Sequence, residues 1–248
     1  MSSLTALLIL ATVLVTAFIS GIFGMAGGLI LMGVLAATLP VATAMVVHGA
    51  VQMVSNGYRA ILWRSFINWR VFGRYAIGSI AALLLLLAVA WRPESRLVYL
   101  LLGLTALLVW LPKRWLSLDI LQRGQAELAG FAVQALNTLS GVAGPLLDIF
   151  FVATEMDRRA IVATKAVTQV LAHLVKVGFW SIPVIAAAGA SAFPPVWFFV
   201  LAVPLSMLGT TLGGKLLERM SDVDFKRAMK WLVSAIGAAM LLKAAGWL

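Results

Sequence analysis

The chain has 248 residues, 62% of them hydrophobic and 11% charged, with a mean hydropathy of +1.03. Soluble domains are about half apolar and about a quarter charged, so the balance excludes a soluble or disordered protein and points to a polytopic membrane protein. The 19 Lys and Arg against 9 Asp and Glu give a net charge of +10, but no basic stretch is interleaved with aromatics as nucleic-acid binding requires, and no nucleic-acid partner is expected.

Taken in chain order, Leu4–Ser20 is a predicted helix of spanning length, since a crossing needs roughly 17–25 apolar residues. It carries no basic n-region, the first basic residue being Arg59, so it reads as a retained helix rather than a secretory signal. The glycine-rich stretch Gly21–Gly28 interrupts it. Leu29–Thr38 is a short second piece ended by Pro40, and Ala42–Tyr58 is a span. Tyr75–Ala90, Arg96–Leu111 and Ala126–Leu139 follow, with runs such as Ala81–Leu87 apolar on every side, which excludes the alternating strands of a β-barrel. A second break lies at Ser140–Pro145, followed by the short piece Leu146–Thr154. Ala160–Phe179, Val196–Leu216 and Ala228–Leu242 complete an all-α set.

The loop charges orient these segments. Arg59, Arg64, Arg70 and Arg74 sit together with no acid, Lys113, Arg114 and Arg123 form a second basic group, and Lys215, Arg219, Lys226, Arg227 and Lys230 dominate a third stretch. By the positive-inside rule all three are cytoplasmic. The uncharged stretch Ser181–Pro195 is then external, and both termini are predicted outside.

The chain also repeats itself. Ser20, Gly21 and Gly24 match Ser140, Gly141 and Gly144 at an offset of 120 residues. His48, Gln52, Asn56, Arg59 and Trp63 match Lys165, Gln169, His173, Lys176 and Trp180 at an offset of 117. The loop after Arg59 is basic and that after Lys176 uncharged, so the two halves, 1–118 and 119–248, are expected to cross in opposite senses. Each half would then be a broken helix pair plus three spans, the inverted repeat of many secondary transporters. Leu29–Thr38 is short enough to suggest a re-entrant hairpin.

Breaks in hydrocarbon are tolerated only where protein or a water-filled cavity covers the backbone. The pieces beginning near Gly27–Gly28 and near Gly144–Pro145 present free N–H groups and positive dipole ends, and a helix N-terminus is an anion site. Ser20, Gly24, Gly27, Gly28, Ser140 and Gly144 are therefore candidate substrate contacts; close helix packing is the competing reading of such glycines, and is the one preferred for Gly209–Gly214. His48, Gln52 and Asn56 share one helix face, as do Lys165, Gln169 and His173. Polar groups inside a membrane face the bundle interior, so these six are candidates to line the path. Arg59 and Lys176, at the expected helix ends, read as snorkelling residues. Asp148 is the carboxylate of an apolar segment: either it neutralises Lys165 or His173, or it couples transport to protons, in which case Asp148→Asn would abolish pH-gradient-driven transport and keep exchange.

The glycine series Gly21, Gly24, Ala26, Gly27, Gly28 and the element Ala163-Thr164-Lys165-Ala166, with Ala42-Thr43-Ala44 as a weaker echo, resemble the sulfite exporter TauE/SafE family, also called the toluene-sulfonate uptake permeases. The second half departs from that pattern at Ser140–Pro145, with Asp148 beyond. The resemblance implies transport of small sulfur-containing anions such as sulfite, sulfoacetate or another organosulfonate across the bacterial inner membrane. An anion channel of the same architecture is the alternative. No nucleophile elbow, metalloprotease helix or cofactor motif accompanies Asp148 and His173, so no enzyme is expected. With no Cys and two His, no metal or cofactor is expected either. The expected partners are a small anion, the lipid bilayer and a coupling proton or ion, and the architecture is compatible with a homodimer.

Overall fold

A computed structural model describes residues 3–23, 26–89, 93–111, 118–151, 153–189, 193–217 and 222–247. Gly24 and the loop cations Lys113, Arg114 and Arg219 lie outside the described residues. Among those described, ten α-helices form the fold: α1 Ser3–Phe23, α2 Ala26–Thr38, α3 Val41–Leu62, α4 Trp69–Val89, α5 Ser95–Leu107, α6 Gln125–Ser140, α7 Gly144–Ile149, α8 Arg158–Ala188, α9 Val196–Leu217 and α10 Asp222–Ala245. Four contain stretches long and apolar enough to cross a membrane: Leu4–Gly21, Trp69–Val89, Arg159–Ala186 and Val196–Leu216. Large apolar side chains such as Leu7, Leu84, Val200 and Leu208 stay on the outside of the bundle, where lipid rather than water suits them.

The breaks occur where the glycines predict them. α2 begins at Ala26, with two residues between it and the end of α1, and Gly27 rests directly on the Thr16 carbonyl and Ser20 of α1, so α2 folds back along α1. Its 13 residues give about 20 Å of helix at about 1.5 Å per residue, less than the hydrocarbon thickness of about 30 Å. α6 ends on Gly141, whose φ of 90° is a left-handed C-cap that favours glycine. α7 is six residues long, with Pro145 in its first turn, shorter than the expected Leu146–Thr154. Beyond it the chain runs to Asp157, whose side chain caps α8 by accepting from the Arg159 N–H at 2.9 Å.

α8 departs most from expectation. It is 31 residues long and continues through Pro183 to Ala188, whereas the sequence reading ended it at Phe179. A proline removes one helical hydrogen bond, but in a membrane bundle neighbouring helices make that tolerable and a broken helix in lipid costs more. Residues 180–188 are therefore helix and not loop. Lys176 consequently lies in the interior of α8, not at its end.

The helices pack in reciprocal pairs. α1 and α9 run parallel, Gly209 against Leu14 and Ala17, Gly213 against Phe18 and Gly21. α4 and α6 also run parallel, tied by Arg74 to Glu127 at 2.7 Å and by Ser79 to Gln134 at 2.7 Å, with Gly78 and Gly130 at the crossing. α3 and α8 are antiparallel: Gly49 meets Lys176 and Val177, Gly57 faces Val170, and Asn68 N–H donates to Thr164 Oγ1. α5 and α10 are antiparallel too, from Arg96 on the Ala244 carbonyl to Trp110 on Ser234.

Gly209 and Gly213 thus serve close helix packing. A Cβ at Gly213 would lie 2.1 Å from the Phe18 carbonyl oxygen, whereas one at Gly214 meets nothing within 4 Å. Gly213→Ala is expected to lower the thermal midpoint in detergent and Gly214→Ala to leave it nearly unchanged, its stability staying within about 0.5 kcal/mol of wild type as for surface substitutions.

Candidate functional site

The two breaks and the two striped helices converge on one cleft at the centre of the bundle. It is lined by Ser20, Gly28, His48, Gln52, Ser55, Asn56, Arg59, Val142, Ala143, Gly144, Gln169 and His173. Each lining group is there for a local reason. The end of α1 brings Ser20, the start of α2 brings Gly28, and the Gly141 C-cap turns the chain so that 142–144 face inward. The i, i+4 spacing puts His48, Gln52 and Asn56 on one side of α3, and Gln169 and His173 on the facing side of α8.

Gly28 lets α2 come within reach of α3: a Cβ there would sit 2.1 Å from Gln52 Nε2. Asn56 Nδ2 donates to the Gln52 carbonyl at 2.9 Å, and Ser55 Oγ pairs with Thr210 Oγ1 of α9 at 3.0 Å. Gln169 Nε2 and His173 Nδ1 are buried with no protein partner. Both residues line the cleft, and an unpartnered polar atom at such depth is costly unless water or a ligand meets it.

Two cations reach this centre, both from positions read as helix ends. Arg59 is half-buried, lines the cleft and donates from Nη2 to the Ser20 carbonyl at 3.2 Å. Lys176 is fully buried; its Nζ donates to the Gly141 carbonyl at 2.8 Å and lies 2.7 Å from His48 Nδ1. Each cation thereby meets carbonyls at the C-terminal end of α1 or α6, the negative end of the helix dipole. His48 Nε2 lies 2.9 Å from the Gly28 carbonyl. That oxygen only accepts, so Nε2 carries the proton and Nδ1 of the neutral ring accepts from Lys176.

The other expected site residues fall elsewhere. Lys165 and Asp148 form an ion pair with each other, and neither lines the cleft. Asp148 is exposed, which corresponds to its neutralising reading. Ser140 is buried, but its Oγ is spent on the Leu136 and Val142 carbonyls at 2.9 and 2.8 Å, so it shapes the break instead of facing the cleft. Gly27 serves the contact between α1 and α2 and is not a lining residue.

Among the described residues no carboxylate lines the cleft; a guanidinium, side-chain amides, two imidazoles and the start of α2 do. The arrangement is suited to a small anion. A family model described as Sulfite exporter TauE/SafE matches residues 8–240. No curated protein and no solved structure matches the chain.

Proposed function

Because this chain belongs to the sulfite exporter TauE/SafE family and is a multi-pass membrane protein, we propose that it is a secondary transporter of small sulfur-containing anions that binds them in the central cleft. The observation that carries this reading is the cleft chemistry: Arg59, with the unpartnered Gln169 amide and a ring nitrogen of His173 beside it and no described carboxylate facing them. Sulfite, thiosulfate, sulfoacetate and other organosulfonates present several acceptor oxygens around one centre, which converging amide, imidazole and guanidinium donors match.

Alternating access is the proposed mechanism. The reciprocal pairing of α1 with α9 and α4 with α6, and of α3 with α8 and α5 with α10, is what two halves exchanged by a twofold axis in the membrane plane would produce. The division near residue 118 and the inverted crossing of the second half are part of the same proposal, as are external termini and an inner-membrane location. Rocking of one half against the other would expose the cleft to each side in turn.

Purified protein in liposomes tests the reading. Uptake of radiolabelled sulfite or thiosulfate should saturate with concentration and show counterflow, whereas a channel would give unitary currents and no counterflow. Gln169→Ala removes a buried donor without removing a charge. Its half-saturation concentration should rise about tenfold, the equivalent of one hydrogen bond of about 1.4 kcal/mol. No saturable uptake of any sulfur anion by the wild-type protein would sink the proposal.

A further inference from the structure

A continuous hydrogen-bonded chain joins the two breaks: the Gly28 carbonyl, His48, Lys176 and the Gly141 carbonyl. We infer that Lys176 and His48 form a shared one-proton site that loads and unloads together with the anion, so that the protein is a proton–anion symporter. This rests on the proposed anion site and adds the coupling ion to it.

The hydrogen-bond count sets the stoichiometry. An ammonium has three N–H groups, and among the described residues Lys176 Nζ uses two, on the Gly141 carbonyl and on His48 Nδ1. The third proton can leave with both bonds kept, because a neutral amine still has two N–H groups to donate. The site then goes from one positive charge to none. A proton placed on His48 Nδ1 instead is accepted by the amine lone pair, again for one charge in total. A second proton would set two donors face to face and break the link.

The surroundings leave this charge as one an anion would feel. His48 lines the cleft with Lys176 directly behind it. His173 faces His48 with ring centroids 5.4 Å apart, and Arg59 lines the same cleft from α3. Among packed neighbours, α1 and α2 carry no titratable side chain, and α9 carries only Lys215 near its end. α6 carries only Glu127, paired with Arg74. α4 adds Arg70 and Tyr75, the latter buried in the apolar cluster around Ile120 and Ala126. Asp148 of α7 is paired with Lys165, in the N-terminal part of α8. Among the described residues no carboxylate is therefore in place to cancel the Lys176–His48 charge, and an anion in the cleft takes that role.

The test uses the full chain in liposomes at zero membrane potential, with thiosulfate and ethanesulfonate, whose own charge is constant across the neutral range. An entrapped pH dye and labelled anion are followed together. The expected result is one proton entering with each anion, and an anion affinity that falls up to tenfold per pH unit once the site titrates, the limit for a single linked proton. Lys176→Arg keeps a permanent cation, so it should carry the anion with no proton. Lys176→Met should bind the anion at low pH as weakly as wild type does at high pH; a monodisperse gel-filtration profile separates this from misfolding. Wild-type anion flux without proton movement overturns the inference and leaves the proposed function standing. Absence of saturable flux overturns the proposed function itself. Proton coupling that survives in Lys176→Arg but is lost in Asp148→Asn overturns the inference and assigns coupling to Asp148.

Discussion

Gly27→Ala should cost this protein much of its stability, and Gly28→Ala, one residue later, should cost it only its ligand. A Cβ at Gly27 would lie 2.0 Å from the Thr16 carbonyl oxygen and 2.9 Å from the Ser20 backbone nitrogen. Neither can move without shifting α1, which is locked to α9 through Gly21 and Gly213. Overpacking of this kind costs about 1–3 kcal/mol and more where the backbone cannot yield. For a chain of this size about 3 kcal/mol corresponds to about 6–12 °C in thermal midpoint, and a melt in detergent followed by Trp fluorescence would read it. A Cβ at Gly28 meets instead the amide end of Gln52 at 2.1 Å, with His48 Nε2 at 3.7 Å. A side-chain end can swing away, so the helix survives. The methyl and the displaced amide then occupy the cleft, and affinity for the anion should fall by about 10- to 100-fold, about 1.4–2.8 kcal/mol. Equal melting losses in the two variants would show that Gly28 serves packing alone.

These neighbouring glycines illustrate what sequence can and cannot separate. A glycine cluster followed by a short apolar piece announces a break, because no ordinary helix needs that much backbone freedom in lipid. It does not say which glycine touches a helix and which touches a cleft; that depends on the rotation of α2 about its axis. The polar stripe was readable for the same reason as the breaks. Gln52, Asn56, Gln169 and His173 recur at helical spacing in otherwise apolar runs, and all four line the cleft.

Lys176 was hidden by a boundary. Charge-free residues after Phe179 suggested a loop, so Lys176 looked like an end residue reaching for the interface. The offset that pairs it with Arg59 held the missing signal: both cations meet carbonyls at the end of a broken helix, Ser20 of α1 and Gly141 of α6. Lys165 failed in the opposite way. It matches His48 at the same sequence offset, yet Asp148 lies within reach across the α7 turn and takes its charge. The sequence offered Asp148 either Lys165 or His173 as a partner; which of the two it meets follows from the path of the chain between α7 and α8, which periodicity does not encode.

The largest loss of binding is expected at Arg59. It is the cation that itself lines the cleft, and a guanidinium carries five N–H donors, of which one is used on the Ser20 carbonyl. Arg59→Gln removes the charge and most of the donors together. Truncating one partner of a desolvated charge pair costs about 2–5 kcal/mol, so anion affinity should fall by about 30-fold at least and by more than 1,000-fold at the upper end. Arg59→Lys keeps the charge but presents it as a point and not as a planar fork, and should recover part of the affinity and little of the selectivity among sulfur anions. Isothermal titration with thiosulfate, sulfite and ethanesulfonate reads all three numbers at once. Arg59 also sits at the negative end of α1, so its loss leaves the Ser20 carbonyl without its cation; that stability effect reaches about 2 kcal/mol in partly buried settings, and a thermal melt of the variant reads it separately from binding. If Arg59→Gln binds thiosulfate as tightly as wild type, the anion does not sit where Arg59, Gln169 and His173 converge.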